Sequence, residues 1–201
     1  MENLSLFNLE SAAQEQMQQN SSGNLDVAKM EFLGAETISW RTLFSGFDTL
    51  HAITYSSGMG FVCQLLEMFK DAEIIFGCDE VISYSLQEIM AYQCKTIERL
   101  RESTSKRKLD LISRIEQGSL RLYVARNILS HEKIYLLSSE DGRKRVVMGS
   151  ANMSFAAFGG QQRENISCID GSEAYDWYWD CYCQLREECT EEIAKESLLC
   201  A

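Results

Sequence analysis

From about Trp40 onward the apolar positions fall into short runs, and the spacing within them alternates between two kinds. The run "LHAITYS" (50–56) is rich in β-branched residues, "SSGMG" interrupts it, and "FVCQLLEMFK" continues with helical spacing. "AEIIFGC" (72–78) then reads as a second buried strand. Strand, helix, strand predicts a βαβ unit, a parallel pair within an α/β sheet covered on both faces.

Residues 80–117 predict a long helical stretch broken near "ESTSKRK". Three strands are expected next: "LRLYVAR" (120–126), "HEKIYLLSS" (131–139) and "KRVVMGS" (144–150). "EDG" (140–142) between the last two predicts a hairpin turn, because Asp-Gly readily takes the positive φ such turns require. "MSFAAF" is a short helix and "NISCID" a further strand. A closing helix presents Ala174, Trp177, Tyr178, Cys181, Tyr182 and Leu185 as one apolar face. The expected fold class is α/β, a mixed, largely parallel sheet flanked by helices on both faces. Residues 1–35, rich in Gln, Asn and Ser, form a helical or flexible N-terminal segment, 36–190 the folded domain, and 191–201 an acidic tail. There is no internal repeat.

Composition narrows the function. The 201 residues suit one domain with a real core. A net charge of −11 argues against general attraction to DNA or anionic membrane. Yet residues 95–145 hold 13 Lys and Arg against 7 Asp and Glu, so a basic middle sits between acidic ends. The start lacks a basic apolar leader, and no window approaches the ~18 apolar residues of a membrane span. These features predict a soluble cytoplasmic protein without membrane association, its eight cysteines reduced. Cys181-x-Cys183 with Cys189 lacks the paired two-residue gaps of a zinc site, so no metal and no cofactor is expected.

The chemistry gathers in "SHEKIYLLSSEDGRKRVVMGSANMS" (130–154). On a strand, His131, Lys133 and Tyr135 share one face. The hairpin returns the next strand beside it, bringing Ser150 and Asn152 near His131 and Lys133. A phosphodiester suits such a space: Lys133 neutralises a non-bridging oxygen, and Ser150 and Asn152 donate to the charge that grows in the transition state. Neutral imidazole is a competent nucleophile if its other ring nitrogen is held by an acceptor, and Glu164, ahead of the "NISCID" strand, is the carboxylate expected in that role. Taken singly, His131 reads as a structural histidine, Lys133 as an edge-guarding lysine and Gly149-Ser150-x-Asn152 as a strand end and helix cap. Their combination is what points to a site.

His131-x-Lys133, Gly149-Ser150-x-Asn152 and Glu164-Asn165, in this order, resemble the phospholipase D superfamily, especially its small bacterial nuclease and restriction-endonuclease-like members. The resemblance implies a metal-independent two-step transfer through a covalent phosphohistidine, with a second histidine from a second motif copy protonating the leaving oxygen. This chain has one copy, and His51 has no Lys two residues on. The resemblance therefore implies a homodimer that completes the site. Where the family pattern places an Asp seven residues after the histidine, this chain has Ser138, which moves the reading from lipases towards nucleases.

Two further features bear on substrate. The turn "SSGMG" could offer Ser56 and backbone N–H groups to a phosphate, or be a plain tight turn. The basic run with Lys106, Arg107 and Lys108, together with Arg126, Arg114 and Arg121, could track a nucleic-acid backbone or be a solvated face. Trp177-Tyr178-Trp179 reads as core and dimer packing. The leading function is a nuclease acting on DNA or RNA. The alternatives are a phospholipid hydrolase or phosphatidyltransferase, and a non-catalytic phosphate-recognising domain working with a helicase or ATPase partner.

Overall fold

The computed structural model describes residues 29–31, 39–77, 111–125 and 130–192. Among these, one sheet contains β1 (Lys29–Glu31), β2 (Thr49–Thr54), β3 (Asp71–Phe76), β4 (Leu120–Ala125), β5 (Lys133–Ser138), β6 (Lys144–Gly149), β7 (Ile166–Asp170) and β8 (Thr190–Glu192). Their spatial order is β1-β7-β6-β5-β2-β3-β4-β8. The helices are α1 (Trp40–Phe44), α2 (Met59–Leu66), α3 (Leu111–Glu116), α4 (Phe155–Phe158) and α5 (Ser172–Cys189).

The expected mixed α/β sheet is present with a different balance. Among the named strands, β2–β3 and β3–β4 pair in parallel and every other pair is antiparallel. Connection length explains this: a parallel pair needs a long crossover, which α2 supplies between β2 and β3, whereas β5 and β6 are joined by a tight turn. In that turn Ser139 N donates to Arg143 O (3.1 Å) and Gly142 sits at φ +87°, as the Asp-Gly signal predicted.

Helices cover both faces. On one, Trp40 and Phe44 of α1, Phe61 and Leu65 of α2 and Phe158 of α4 pack on Leu50, Ile74, Tyr135 and Val147. On the other, Ala174, Tyr175 and Tyr182 of α5 close over Ile53, Ile75, Leu136 and Val146. The apolar face of α5 is rotated from the one expected: Trp177 is 63% exposed and Cys181 is also outside. The aromatic row Tyr175, Trp179 and Tyr182 turns inward instead, with near-parallel rings, and Trp179 meets His51 edge-on at 4.5 Å.

Two terminal expectations also change. Lys29–Glu31, within the segment expected to be helical or flexible, pairs with β7, and Thr190–Glu192, reaching into the expected tail, pairs with β4. Both are edge strands. No helix among the described residues is long and apolar enough to cross a membrane.

Candidate active site

The site candidates lie at one end of the sheet, around the last residues of β2 and β6 and the first of β5 and β7. Register explains why: Thr54 pairs with Lys133, and Gly149 with Ile166. His131 is exposed and stands two residues ahead of β5, rather than within the strand as expected. Gly77, just past β3, permits its placement, because a Cβ there would lie 2.0 Å from the Ser130 carbonyl oxygen.

Lys133 is 6% exposed. Its ammonium donates to His131 Nδ1 (2.8 Å) and to the His131 carbonyl (2.6 Å). Burial lowers its pKa, and the nearby Glu164 charge opposes that shift. An ammonium can only donate, so His131 Nδ1 offers its lone pair and the ring proton sits on Nε2. Glu164, expected to hold His131, accepts from the Ser150 hydroxyl within this chain. Ser150 Oγ also accepts from Asn165 N (2.9 Å), so its hydroxyl is engaged in fixing Glu164 rather than left to meet a substrate.

The turn Ser150–Met153 is fastened residue by residue. Ser150 N donates to Asn165 O (2.9 Å), and the buried Tyr135 hydroxyl donates to Ala151 O (2.9 Å). Ser56 N donates to Asn152 Oδ1 (3.2 Å). Met153 N donates to Thr54 Oγ1 (3.0 Å), whose own proton goes to Ser56 O (2.7 Å). With Asn152 Oδ1 engaged, the other end of its amide is the NH₂ group, a hydrogen-bond donor. Gly149 is required for the approach: its φ is +150°, and a Cβ there would stand 1.8 Å from Asn165 O.

Ser56 thus enters the site through its backbone. Lys106, Arg107, Lys108 and Arg126 lie outside the described residues. The described part of the basic middle is largely committed to structure. Arg114 donates to the carbonyls of Leu66 (2.8 Å), Phe69 (3.2 Å) and Lys70 (3.0 Å), and Arg121 pairs with the buried Glu73 (3.3 Å). His131 opens onto a groove of about 490 Å³ whose far wall is the C-terminal half of α5, with Gln184, Leu185 and Glu188.

Thr54, Tyr55 and Gly77 escaped the sequence reading, which had Tyr135 on the face of His131 and Lys133 without giving it a role. Tyr55 packs against His131 with ring centroids 4.3 Å apart, and Lys133 Nζ lies 5.4 Å from the same ring. The signal for Thr54 and Tyr55 was their place at the carboxyl end of the first parallel strand, where open α/β sheets bind ligands.

This sheet, with His-x-Lys leading into β5 and Gly-Ser-x-Asn leading out of β6, defines a domain of the phospholipase D class. Residues 89–196 match the family model of the NgoFVII restriction endonuclease N-terminal PLD (phospholipase D) domain, and the chain belongs to that family. An uncharacterized protein of Aquifex aeolicus (strain VF5) is 30% identical over 118 residues, which are 59% of this chain and 70% of the relative. Among solved structures, Nuc of Salmonella typhimurium, a phospholipase D family member, aligns over 75% of this chain and 84% of its own, with 15% identity and a TM-score of 0.46. The phosphatidylserine synthase of Haemophilus influenzae Rd KW20 aligns over 78% of this chain and 36% of its own, with 18% identity and a TM-score of 0.50, a likeness of fold.

Proposed function

We propose that the chain is a metal-independent phosphodiesterase, a nuclease hydrolysing DNA or RNA through a phosphohistidine at a site shared between two copies. The observation that carries this reading is the seating of the buried Lys133 ammonium on His131, at the strand ends where Ser56 N also holds Asn152 by its Oδ1. A phosphate oxygen entering that space competes for the Lys133 ammonium. Its release from Nδ1 lets the ring proton move there and frees the Nε2 lone pair to attack phosphorus. The P–Nε2 bond forms as the ester P–O bond breaks, and His131 of the second copy, entering this step as the imidazolium, delivers a proton to the leaving oxygen and becomes neutral. Water, giving its proton back to that histidine, then attacks phosphorus and releases the first. Lys133 and Asn152 stabilise the equatorial oxygens throughout.

Each chain has one His-x-Lys motif, and its Glu164 is engaged by Ser150. A two-fold partner would bring the second histidine and another carboxylate. A helicase or ATPase partner would act by delivering the nucleic acid.

The test is cleavage of fluorescent DNA, RNA and a lipid reporter in EDTA, by the natural chain and by His131→Ala. Nucleic-acid cleavage that survives EDTA and vanishes in the variant is expected. Turnover of the lipid alone, activity abolished by EDTA, or an active His131→Ala would each overturn the reading. Sedimentation supplies a second check, in which a strict monomer at assay concentration contradicts the shared site.

A further inference from the structure

We infer that Tyr55 is a positioning residue whose ring holds the His131 imidazole in line for phosphoryl transfer, an inference that rests on His131 being the nucleophile proposed above. His131 is exposed and precedes its strand, so neither β-ladder bonds nor core packing fix its ring. Two contacts do. Lys133 takes Nδ1 at 2.8 Å, which sets the direction of one nitrogen, and Tyr55 lies against the ring with centroids 4.3 Å apart and planes 40° from each other. The Lys133 contact is one that an incoming phosphate competes for. The Tyr55 contact is apolar and persists through the reaction.

The backbone carrying Tyr55 is itself rigid. Thr54, fully buried, is tied by its hydroxyl to Met153 N and Ser56 O, and Ser56 N is tied to Asn152. On the other side Gly77 lets the end of β3 come close, since a Cβ built there would be 3.0 Å from the Tyr55 Cα. The residues that fix Asn152 therefore also fix the wall against which His131 rests. The same ring lies 5.4 Å from Lys133 Nζ and so bounds both groups that must face one phosphate. Its π face also favours the cationic imidazolium that appears when His131 carries two ring substituents or protons. The ring supplies all of this without its hydroxyl.

The experiment compares the full chain with Tyr55→Leu, Tyr55→Met and Tyr55→Phe by two readouts. In histidine-labelled protein only His51 and His131 give ring-proton NMR signals, and His51→Phe assigns them. The His131 signals are expected upfield in the natural chain and in Tyr55→Phe, and to lose that ring-current displacement in the Leu and Met variants. In cleavage assays the Leu and Met variants are expected to lose roughly 10- to 100-fold in kcat with KM unchanged, and Tyr55→Phe to recover it. Unmoved His131 signals in both apolar variants would overturn the contact. A raised KM with kcat intact would overturn positioning in favour of substrate binding. If the natural chain cleaves no phosphodiester, the function proposed above fails separately, and the NMR comparison still decides whether Tyr55 holds the imidazole.

Discussion

The two ends of the β5–β6 hairpin carry similar residue types and use them in opposite ways. At the turn end charges are matched across short distances: Lys70 with Asp48 and Glu140, Arg143 with Asp141, Lys144 with Asp176, and Arg145 with Asp170 through two nitrogens. At the other end Lys133 is more deeply buried than any of those cations, and among the described residues its ammonium is held by an imidazole and a carbonyl, with the Glu164 carboxylate near it rather than bonded to it. Charges matched in the resting state stabilise a fold and leave little for a ligand. A buried cation without a carboxylate costs stability and is ready for an anion. On the function proposed above, the difference gives structure to one end and chemistry to the other.

Lys133→Met gives the sharpest break between them. Removing the ammonium should lower kcat by ~10²–10³, the loss seen when one preorganised charge stabiliser is removed. The melting temperature should hold or rise, because the folded state no longer desolvates a cation. A matching loss of both activity and stability would place Lys133 with the structural cations of the turn end.

His51 extends the comparison to the chain's two histidines. It lies under α5 between Trp179 and Tyr182, with Nδ1 buried and without a hydrogen-bond partner among the described residues. Burial lowers its pKa from 6.5 to about 4, Glu73 opposes the shift, and Arg121 and Arg186 add to it. The unfolded chain therefore binds a proton near pH 6.5 that the folded chain takes up only near pH 4. The stabilisation is complete above pH 6.5 and is lost as pH falls through that window, by about 3 kcal/mol in all. Denaturant midpoints between pH 4 and 7 should show this slope in the natural chain and a shallower one in His51→Phe. Equal slopes would remove His51 from the account.

Much of this was legible before any coordinates. Apolar periodicity located β2 through β7 within a residue or two and foresaw α5 as the closing helix, and Asp141-Gly142 located the turn. Two-residue periodicity and a tight hairpin placed His131 and Lys133 where β5 begins and Ser150 and Asn152 past the end of its neighbour β6. Pairing between distant segments was less legible, since it is tertiary packing that decides it. The outward turn of Trp177 follows from the Tyr175-Trp179-Tyr182 row seating on His51, and helical spacing alone admits both rotations. The engagement of Glu164 by Ser150, and the roles of Thr54 and Tyr55, depend on β2 lying beside β5, a neighbour relation absent from local pattern.

Thr54→Val separates the scaffold of the active end from its charge. The substitution keeps shape and leaves Met153 N and Ser56 O without their partner, which should cost about 1–3 kcal/mol. It also loosens the turn carrying Asn152, so kcat should fall by more than KM rises. A stability loss with unchanged kcat would show that the Asn152 amide is oriented without this strut.

Arg145→Met is the smallest perturbation and tests the quiet end directly. Arg145 forms a two-nitrogen pair with Asp170 (2.5 and 2.8 Å), donates to Leu43 O (2.9 Å) and lies over Phe47. Asp170 is half exposed, so water screens the pair, and the loss should be about 1 kcal/mol or less. Because this cation already has its anion, kcat and KM should both stay unchanged, and the stability loss should shrink as salt screens the pair in the natural chain. A rise in KM for nucleic acid would mean that substrate exchanges with Asp170 for Arg145, and the turn end would then belong to the binding surface as well.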